Sequence, residues 1–362
     1  MNTPMPHPSV AVARPQRSSS RLTARRLLGR PRSVALVLFV FVPMTLLVPT
    51  SEASGLKPPH VVLGIWTENS GNHTTVKLEK QIGRRFGGFR DNHSITNSVP
   101  GNADDKAYDA GRKLVYRNAQ SQNIKGGKIC WGSFADGTRD GTLAGIVRAI
   151  KADPRWTHRT PYLFSFNHEA GQPRWCGTPE DYKAAFRHIF DYFDSAGILW
   201  RNGGQLKMVW TVTRSQMNQQ TPGQPTAAQA HDPDLGADGA TVVGDYYDLV
   251  GLDVYDKVQA NGHLSYTDPH QAFDVAHRYA LARGKQFGIF ELGVAEGAPN
   301  EKATFFSQVA PTLRSYGFGV AGSAATLMYS NVNGKQPFWA DTSPKSLKAF
   351  TAMANRPLFL PR

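Results

Sequence analysis

From residue 60 onward, short runs rich in β-branched and aromatic residues alternate with longer segments in which apolar residues recur at helical spacing. The short runs predict eight strands, at Val61–Thr67, Gly88–Asn92, Lys128–Phe134, Tyr162–Asn167, Leu206–Val212, Asp248–Val254, Gln286–Glu291 and Val320–Tyr329. The helical patterns cover Thr75–Arg85, Asp104–Gln122, Gly141–Lys151, Pro179–Ala196, His270–Arg283, Asn300–Ser315 and Ser343–Met353. The segment Gln216–Gly239 is rich in Gln, Pro, Ala and Gly, and we predict a long loop there.

Eight strand–helix units in about 300 residues are typical of an α/β protein with a single (β/α)₈ TIM barrel. A doubly wound open sheet is the alternative, but no G-x-G-x-x-G follows the first strand, which disfavours its dinucleotide-binding form. In a barrel the active site lies at the carboxyl ends of the strands. Residues that end strands are therefore the first candidates for chemistry.

The first 53 residues have the character of an export signal. Residues 1–33 contain arginines and no acid, Val34–Val48 is a 15-residue apolar run, and Ser51 and Ala53 place small residues before a cut after position 53. We therefore predict a signal peptide over 1–53, a catalytic barrel domain over 54–362, and a secreted protein. An uncleaved signal anchor is the alternative, and it would be the only contact with a membrane.

The charge of the chain is concentrated in that leader. The sequence holds 41 Lys and Arg against 28 Asp and Glu, a net charge of +13, yet seven arginines and one acid lie in 1–53. The remaining +7 includes no Lys/Arg run, so nucleic-acid binding is not indicated. Nothing in the pattern signals an oligomer, and a monomer is the default. Cys130 and Cys176, the only cysteines, form either a disulfide or two free thiols.

Two glutamates end predicted strands four and seven. Glu169 follows Phe166-Asn167-His168, and Glu291 follows Ile289-Phe290. A charge at the end of an apolar run is costly unless it has a purpose, and strands four and seven lie across a barrel mouth from each other. Two carboxylates facing one cleft are what glycoside hydrolysis needs. A structural ion pair is the alternative for either glutamate alone.

Other catalytic classes find no support in these motifs. The His168-Glu169 pair lacks the second histidine of a zinc protease, there is no G-x-S-x-G, and the glycines at 137, 141 and 145 do not form a phosphate loop. We therefore expect neither a metal nor another cofactor.

Five segments in order resemble glycoside hydrolase family 26, the barrel family best known for β-mannanases, over roughly residues 60–355. They are Phe166–Glu169, Gly177–Arg187, Lys207–Trp210, Gly244–Tyr255 and Phe290–Gly293. The resemblance implies that Glu169 is the general acid/base and Glu291 the nucleophile of a retaining enzyme, with carboxyl groups about 5–5.5 Å apart. It also implies that His168 contacts substrate or the nucleophile's surroundings, and that Tyr255 hydrogen-bonds Glu291.

Aromatic residues near these segments are candidates for sugar binding. Trp175 resembles the family's platform tryptophan after the acid, and a flat indole suits the apolar face of a pyranose. Trp66, Trp131 and Trp210 end predicted strands one, three and five, with core packing as the alternative for each. Arg214 follows strand five and is a candidate for binding hydroxyl groups.

The sequence differs from the mannanase pattern at three places. Ser165 stands where mannanases of the family usually carry Arg, Ala170-Gly171-Gln172 replaces Met-Asn-Gly, and Val243 replaces Pro before Gly244-Asp245. We expect a secreted retaining endo-β-glycanase with a mannan-type polysaccharide as substrate. The alternatives are a β-1,3/1,4-glucanase or xylanase of the same fold, a non-catalytic polysaccharide-binding barrel at the cell surface, and a factor that processes the producer's own envelope polysaccharide.

Overall fold

The structure is a computed structural model that describes residues 60–67, 73–123, 125–218 and 224–359. The predicted leader over 1–53 lies outside these residues. Within them, eight strands follow one another as β1 (Val62–Thr67), β2 (Gly88–Ser94), β3 (Leu114–Gln120), β4 (Tyr162–Phe166), β5 (Leu206–Thr213), β6 (Leu249–Asp256), β7 (Gln286–Val294) and β8 (Ala324–Asn331).

All eight strands are parallel and close into one barrel in chain order, with β8 paired to β1. The predicted (β/α)₈ barrel is therefore confirmed. The pairing of β6 with β7 shifts register after Leu252, so that Asp253 stands opposite Glu291. Irregularities of this kind re-aim side chains, and this one lies where the candidate nucleophile leaves the sheet.

Helices follow most of the strands and cover the outside of the barrel. They are α1 (Thr75–Ile82), α2 (Asn102–Asp109), α3 (Gly132–Ala135), α4 (Asp140–Ala152), α5 (Pro179–Ser195), α6 (Arg214–Asn218), α7 (Ala227–His231), α8 (Pro269–Ala282), α9 (Glu301–Ser315) and α10 (Pro344–Ala354). In the part of the chain that the structure describes, none of these helices is long and apolar enough to cross a bilayer.

Helix α5 begins as its sequence indicates. Thr178 caps it by accepting from the Asp181 backbone N–H, the Asp181 carboxylate accepts from the Thr178 N–H in return, and Pro179 occupies the first turn. This reciprocal capping box stabilises the start of the helix. The cap also ends the loop from β4, which carries several of the candidate site residues.

Apolar side chains fill two layers. One cluster consists of residues from six different strands, and we assign it to the barrel interior: Tyr116, Leu163, Val209, Leu249, Phe290 and Met328. A larger cluster combines other strand residues with apolar residues of the helices. At the upper end of the first cluster the rings of Tyr116 and Phe290 stack with centroids 4.0 Å apart. Phe290 therefore supports the segment of β7 from which Glu291 projects.

The predicted third strand was wrong. The strand is Leu114–Gln120, inside the segment predicted to be helical, whereas Lys128–Phe134 is loop followed by the start of α3. Helix α2 ends at Asp109, and Gly111 takes a left-handed φ of 94° that lets the chain turn into β3. The strand contains Arg117 and Asn118, which broke its apolar pattern. Both are buried because each has a tertiary partner: Arg117 donates to the Asp104 carboxylate, and Asn118 accepts from the His168 N–H.

The predicted long loop over Gln216–Gly239 is also only partly right. The short helix α6 overlaps the start of this segment, and the short helix α7 lies inside it. Residues 219–223 are outside the described part. Thr226 caps α7 by accepting from the Gln229 N–H, and the Gln229 side chain accepts from the Thr226 N–H. This local capping outweighs the low helical propensity of the surrounding sequence.

Candidate active site

The turn after β4 presents His168 and Glu169 at the mouth of the barrel. Asn167 and Glu169 both have left-handed backbone conformations, with φ of 45° and 55°, which are uncommon for residues with a Cβ. Neighbouring strands hold the turn: the Asn167 N–H donates to the Ala119 carbonyl over 3.0 Å, and the Glu169 N–H donates to the Thr211 carbonyl over 2.9 Å. Strained backbone held this firmly is typical of functional sites.

A side chain of β3 and the backbone just after that strand complete the support of this turn. The His168 N–H donates to Oδ1 of Asn118 over 3.0 Å, and the Ser121 N–H donates to Oδ1 of Asn167 over 2.7 Å. Both acceptors are fully buried, so water does not compete for these bonds. The strand that sequence patterning missed therefore helps to position the turn that carries His168 and Glu169.

Glu291 lies near the end of β7 and is buried, with 5% of its surface exposed. Its Oε1 accepts a hydrogen bond from Nη2 of Arg90 on β2, and its Oε2 accepts one from the hydroxyl of Tyr255 on β6. An arginine and a phenol that both donate to a carboxylate stabilise its ionised form and fix its orientation. The predicted contact between Tyr255 and Glu291 is present.

Arg90 is fully buried, and aromatic rings surround its guanidinium. The guanidinium carbon lies 4.6 Å from the centre of the Trp66 ring and 5.9 Å from that of Tyr116. Such faces accept a cation that has lost its water. Trp66 thus contacts the cation beside the nucleophile.

His168 lies between the two candidate carboxylates. Its Nδ1 is 2.8 Å from Oδ2 of Asp253 and 3.5 Å from Oε1 of Glu291, while Nη2 of Arg174 is 3.4 Å from its Nε2. Burial, reinforced by Arg90, lowers the pKa of His168 to about 3, so the imidazole is neutral at ordinary pH. With its proton on Nδ1, the ring donates to Asp253 and leaves Nε2 to accept from Arg174.

Glu169 is the more exposed of the two candidate catalytic groups, with 15% of its side chain accessible. Burial raises its pKa, while the positive charge of Arg174 acts in the opposite direction. Nη2 of Arg174 donates to its Oε2 over 3.0 Å. A carboxyl with a raised pKa beside a cleft has the character of a general acid.

His168, Asp253 and Glu291 each offer a ligand atom, and these atoms lie within 4.8 Å of one another. Arg90 donates to Glu291 and approaches Nδ1 of His168 to 3.5 Å, so a divalent cation bound there would face a buried positive charge. Burial also raises the pKa of Asp253 to about 7, which favours its protonated form over a metal ligand. The arrangement suits carboxylate chemistry better than metal binding.

Cys130 and Cys176 are joined by a disulfide, which is one of the two alternatives that the sequence left open. The bond ties the loop after β3 to the loop after β4, a few residues from Arg174. Trp131 lies beneath this junction, where its backbone N–H donates to the Cys176 carbonyl over 2.9 Å. Gly177 has a φ of 142°, and a Cβ there would approach the Trp131 ring to 2.7 Å, so only glycine fits.

The predicted role in sugar binding is wrong for two of the tryptophans. Trp131 is 1% exposed, because the disulfide junction covers it, and Trp210 is fully buried against the rings of Tyr247 and Tyr279. Trp210 lies within β5. Because side chains alternate along a strand, it faces the helix layer and not the barrel interior. Neither residue can contact a polysaccharide.

Two other predicted contacts lie in different surroundings. Trp175 is half-buried beside the candidate acid, and its Nε1 donates to the Glu169 carbonyl over 3.2 Å. Arg214 has its guanidinium 4.4 Å from the Tyr266 ring, and it donates to the Gln271 carbonyl over 2.8 Å. Arg214 therefore contacts the first turn of α8 and the Tyr266 ring before it, and sugar binding by this residue stays a prediction.

The structure adds residues that sequence reasoning missed. Arg90, Arg174 and Asn118 all contact His168, Glu169 or Glu291, and none was singled out from the sequence. Arg90 did carry a signal, because a charged residue in the middle of a predicted strand needs a buried partner. Its partner is 201 residues away in the chain.

No protein-family model matches the sequence, and no curated protein matches it. Solved structures do match. An endo-β-1,4-mannanase double mutant from Cellulomonas fimi aligns with a TM-score of 0.54 and 18% identity, over 83% of this chain and 72% of that one. The catalytic domain of a Bacillus sp. family 26 endo-β-1,4-mannanase aligns with a TM-score of 0.55 and 15% identity, over 83% and 87% of the two chains.

A third structure is the family 26 domain of an endo-β-mannanase/endo-β-glucanase from Prevotella bryantii. It aligns with a TM-score of 0.52 and 13% identity, over 83% of this chain and 90% of that one. This chain therefore has the (β/α)₈ barrel fold of family 26 glycoside hydrolases. At these identities the likeness establishes the fold, and function has to be argued from the site.

Proposed function

We propose that this chain is a secreted, retaining endo-β-glycanase that hydrolyses a mannan-type polysaccharide. The observation that carries the proposal is that Glu169, after β4, and Glu291, on β7, share one cluster of contacts. His168 lies 3.5 Å from Glu291, and Arg174 contacts both His168 and Glu169. The similarity of the fold to mannanase structures supports the substrate class. The reaction needs only these two carboxylates and a water molecule.

Glu291 is suited to be the nucleophile. Arg90 and Tyr255 donate to its two oxygens, so the carboxylate is ionised and oriented before the substrate arrives. It would attack the anomeric carbon to form a covalent glycosyl intermediate. Arg90 and Tyr255 would then stabilise the carboxylate again when it departs in the second step.

Glu169 is suited to be the acid and then the base. Burial raises its pKa, which favours the protonated form that a general acid needs. It would protonate the leaving oxygen in the first step and take a proton from water in the second. Trp175, held against the backbone of Glu169, would carry a sugar ring on its half-exposed face.

Reducing-sugar release tests the proposal. The full chain would be assayed on β-mannan, glucomannan, mixed-linkage β-glucan and xylan, beside Glu169→Ala and Glu291→Ala. Glu180→Ala, at an exposed position in the first turn of α5, is the matched control. We expect release from mannan by the wild type and the control, and a loss of at least about a thousandfold in both catalytic variants.

The other outcomes separate the alternatives. Release from glucan or xylan in place of mannan would keep the mechanism and change the substrate. Activity that survives both glutamate substitutions would overturn the assignment of the site, and binding without release by a folded protein would favour a non-catalytic role. Nuclear magnetic resonance of the first-formed product tests retention, since the β-anomer is expected before mutarotation.

Secretion is tested separately. Expression of the full chain in its producing cell, followed by mass spectrometry of the protein in the medium, should give a chain that begins at residue 54. Recovery of the intact chain from the membrane fraction would instead support the uncleaved anchor.

A further inference from the structure

A half-exposed arginine stands directly beside the proposed general acid. Nη2 of Arg174 donates to Glu169 over 3.0 Å, and 48% of the Arg174 side chain remains accessible. Its guanidinium lies 4.7 Å from the ring of Trp175, the proposed sugar platform. The remaining N–H donors of this guanidinium are thus available at the cleft, next to the surface on which a sugar would stack.

This position conflicts with the chemistry expected of Glu169. A general acid must carry its proton when the leaving oxygen departs, and a neighbouring guanidinium favours the ionised carboxylate. Arg90 serves the nucleophile by the same effect, because that carboxylate must be ionised. An arginine beside the acid is compatible with the protonated form of Glu169 if another anion draws its charge away when the substrate binds.

A carboxylate on the substrate meets this requirement. Arginine presents a planar fork that binds carboxylates through two parallel hydrogen bonds, and a partly exposed fork loses little hydration when it does so. A sugar stacked on Trp175 with a carboxylate as a substituent would bring that group to Arg174. Glu169 would then lose its competing partner as the substrate enters.

Further cations follow other strands, at the same end of the barrel as Arg174. Lys257 directly follows β6 and Lys335 follows β8, and both are exposed. Gln336 joins the two loops, since it accepts from the Val258 N–H over 2.8 Å and donates to the Val258 carbonyl. Among the described residues, no carboxylate lies within ion-pair distance of either lysine. Cations around a cleft raise the local concentration of an anionic polymer.

We propose that the substrate is an acidic β-glycan and that Arg174 is the specificity-determining residue that binds a uronate carboxylate beside Glu169. This inference rests on the proposed function, because it concerns the same cleft. It narrows the mannan-type class to polymers in which sugar units carry a carboxylate. A role of Arg174 that is limited to orienting Glu169 is the competing account.

Binding of matched oligosaccharides tests the inference without turnover. Glu291→Gln keeps the size of the side chain and removes the nucleophilic charge, so its complexes should survive for calorimetry. The probes are two pairs of β-1,4-linked hexasaccharides: mannuronate with its carboxyl-reduced counterpart, which is a mannoside, and glucuronate with its reduced counterpart, which is a glucoside. Each pair differs only in the charged group.

We expect the acidic member of at least one pair to bind about tenfold more tightly than its neutral counterpart. Adding Arg174→Gln should abolish that preference, and Arg174→Lys, which keeps the charge and loses the fork, should retain part of it. Arg278→Gln is the control, because it removes an equal charge from the outer surface of α8, where this residue is 69% exposed.

Each remaining outcome decides the matter. The inference would be overturned if the acidic member of both pairs bound equally well or more weakly than its neutral counterpart, or if no probe bound measurably. A preference for the acidic member that persists in Arg174→Gln would also overturn it. Hydrolysis by the wild type is scored separately. If neutral mannan is cleaved and no preference for the acidic probes is found, the proposed function stands and the inference about Arg174 fails. If an Arg174-dependent preference is found but no polymer is cleaved, the inference stands and the proposed function fails.

Discussion

Arg90 and Glu291 form a buried ion pair that links β2 to β7 at the mouth of the barrel. Of the two side chains, that of Arg90 is fully inaccessible and that of Glu291 is 7% exposed. Because the pair is shielded from water, removing one partner would leave the other charge buried and unpaired, which costs more free energy than it does for a surface pair. The relationship makes Arg90 part of the proposed catalytic centre, although it lies on a strand that carries neither of the two candidate glutamates.

Replacing Arg90 should therefore damage catalysis specifically. In Arg90→Met we expect kcat to fall by about a hundredfold or more, because Glu291 loses the cation that stabilises its ionised form. Arg117→Met is the matched control, since Arg117 is equally buried on β3 but pairs with Asp104 outside the site. Steady-state kinetics on protein that passes a thermal-unfolding check would measure both. A kcat loss in the control as large as in Arg90→Met would contradict the assignment.

The hydroxyl of Tyr255 should make a smaller contribution. Tyr255→Phe removes the donor to Oε2 of Glu291, and a hydrogen bond to a charged group corresponds to about tenfold to a hundredfold in kcat. The control is Tyr162→Phe, which removes the donor to the buried carboxylate of Asp104, 2.8 Å away. Tyr162→Phe should lower the melting temperature and leave kcat unchanged. Equal kcat values for wild type and Tyr255→Phe would refute this role.

The pH dependence should report the ionisation of Glu169. Burial raises its pKa, the negative charge of Asp253 raises it further, and the cations Arg174 and Arg90 lower it. As the acid must be protonated, kcat/KM should fall when pH rises through this pKa. Arg174→Gln removes a cation that favours the ionised form, so the falling limb should move to higher pH.

The matched control for this profile is Arg278→Gln, which lies far from the cleft and should leave the limb in place. A limb that stays fixed in Arg174→Gln, or moves to lower pH, would show that Arg174 does not act on Glu169. The profile should be recorded on a neutral substrate, because a carboxylate on the substrate would itself compete for Arg174.

The disulfide should support both the fold and the cleft. It closes a loop with a sequence separation of 46, for which chain-entropy arguments give about 2–4 kcal/mol of stability. The double substitution Cys130→Ser and Cys176→Ser should lower stability by this amount. It should also raise KM, because Arg174 and Trp175 lie in the loop that the bond anchors.

Denaturant unfolding and kinetics would measure the two effects of losing the disulfide. Wild-type protein treated with a reductant should behave like the double variant, and the variant itself should not respond to the reductant. An unchanged KM would mean that the loop after β4 is held well enough by the capping box at Thr178 and the contacts of Trp131.

Much of the catalytic centre was accessible from the sequence because it is local. Glu169 and Glu291 each end an apolar run, and strand order alone places the ends of β4 and β7 on one side of a barrel. The contact of Tyr255 with Glu291 followed from the family resemblance. These predictions depended on spacing along the chain and on the parallel topology, which apolar patterning specifies well.

The failures share a different cause. Strand β3 was missed because Arg117 and Asn118 look like surface residues until Asp104 and the His168 backbone are present to pair with them. Sugar binding was wrongly predicted for Trp131 and Trp210 because the sequence pattern of a tryptophan near the end of a predicted strand is the same whether its side chain faces a cleft or the core.

The sequence by itself determined the barrel, its order of strands and the two carboxylates, since hydrophobic periodicity and strand-end position are properties of neighbouring residues. Only the tertiary structure decided which charges meet. Arg90 donates to Glu291, which lies 201 positions away in the chain. Arg174 contacts both His168 and Glu169, which belong to a turn with left-handed backbone. Buried polar groups are stabilised by specific partners brought together on folding, and no periodic pattern along the chain encodes that pairing.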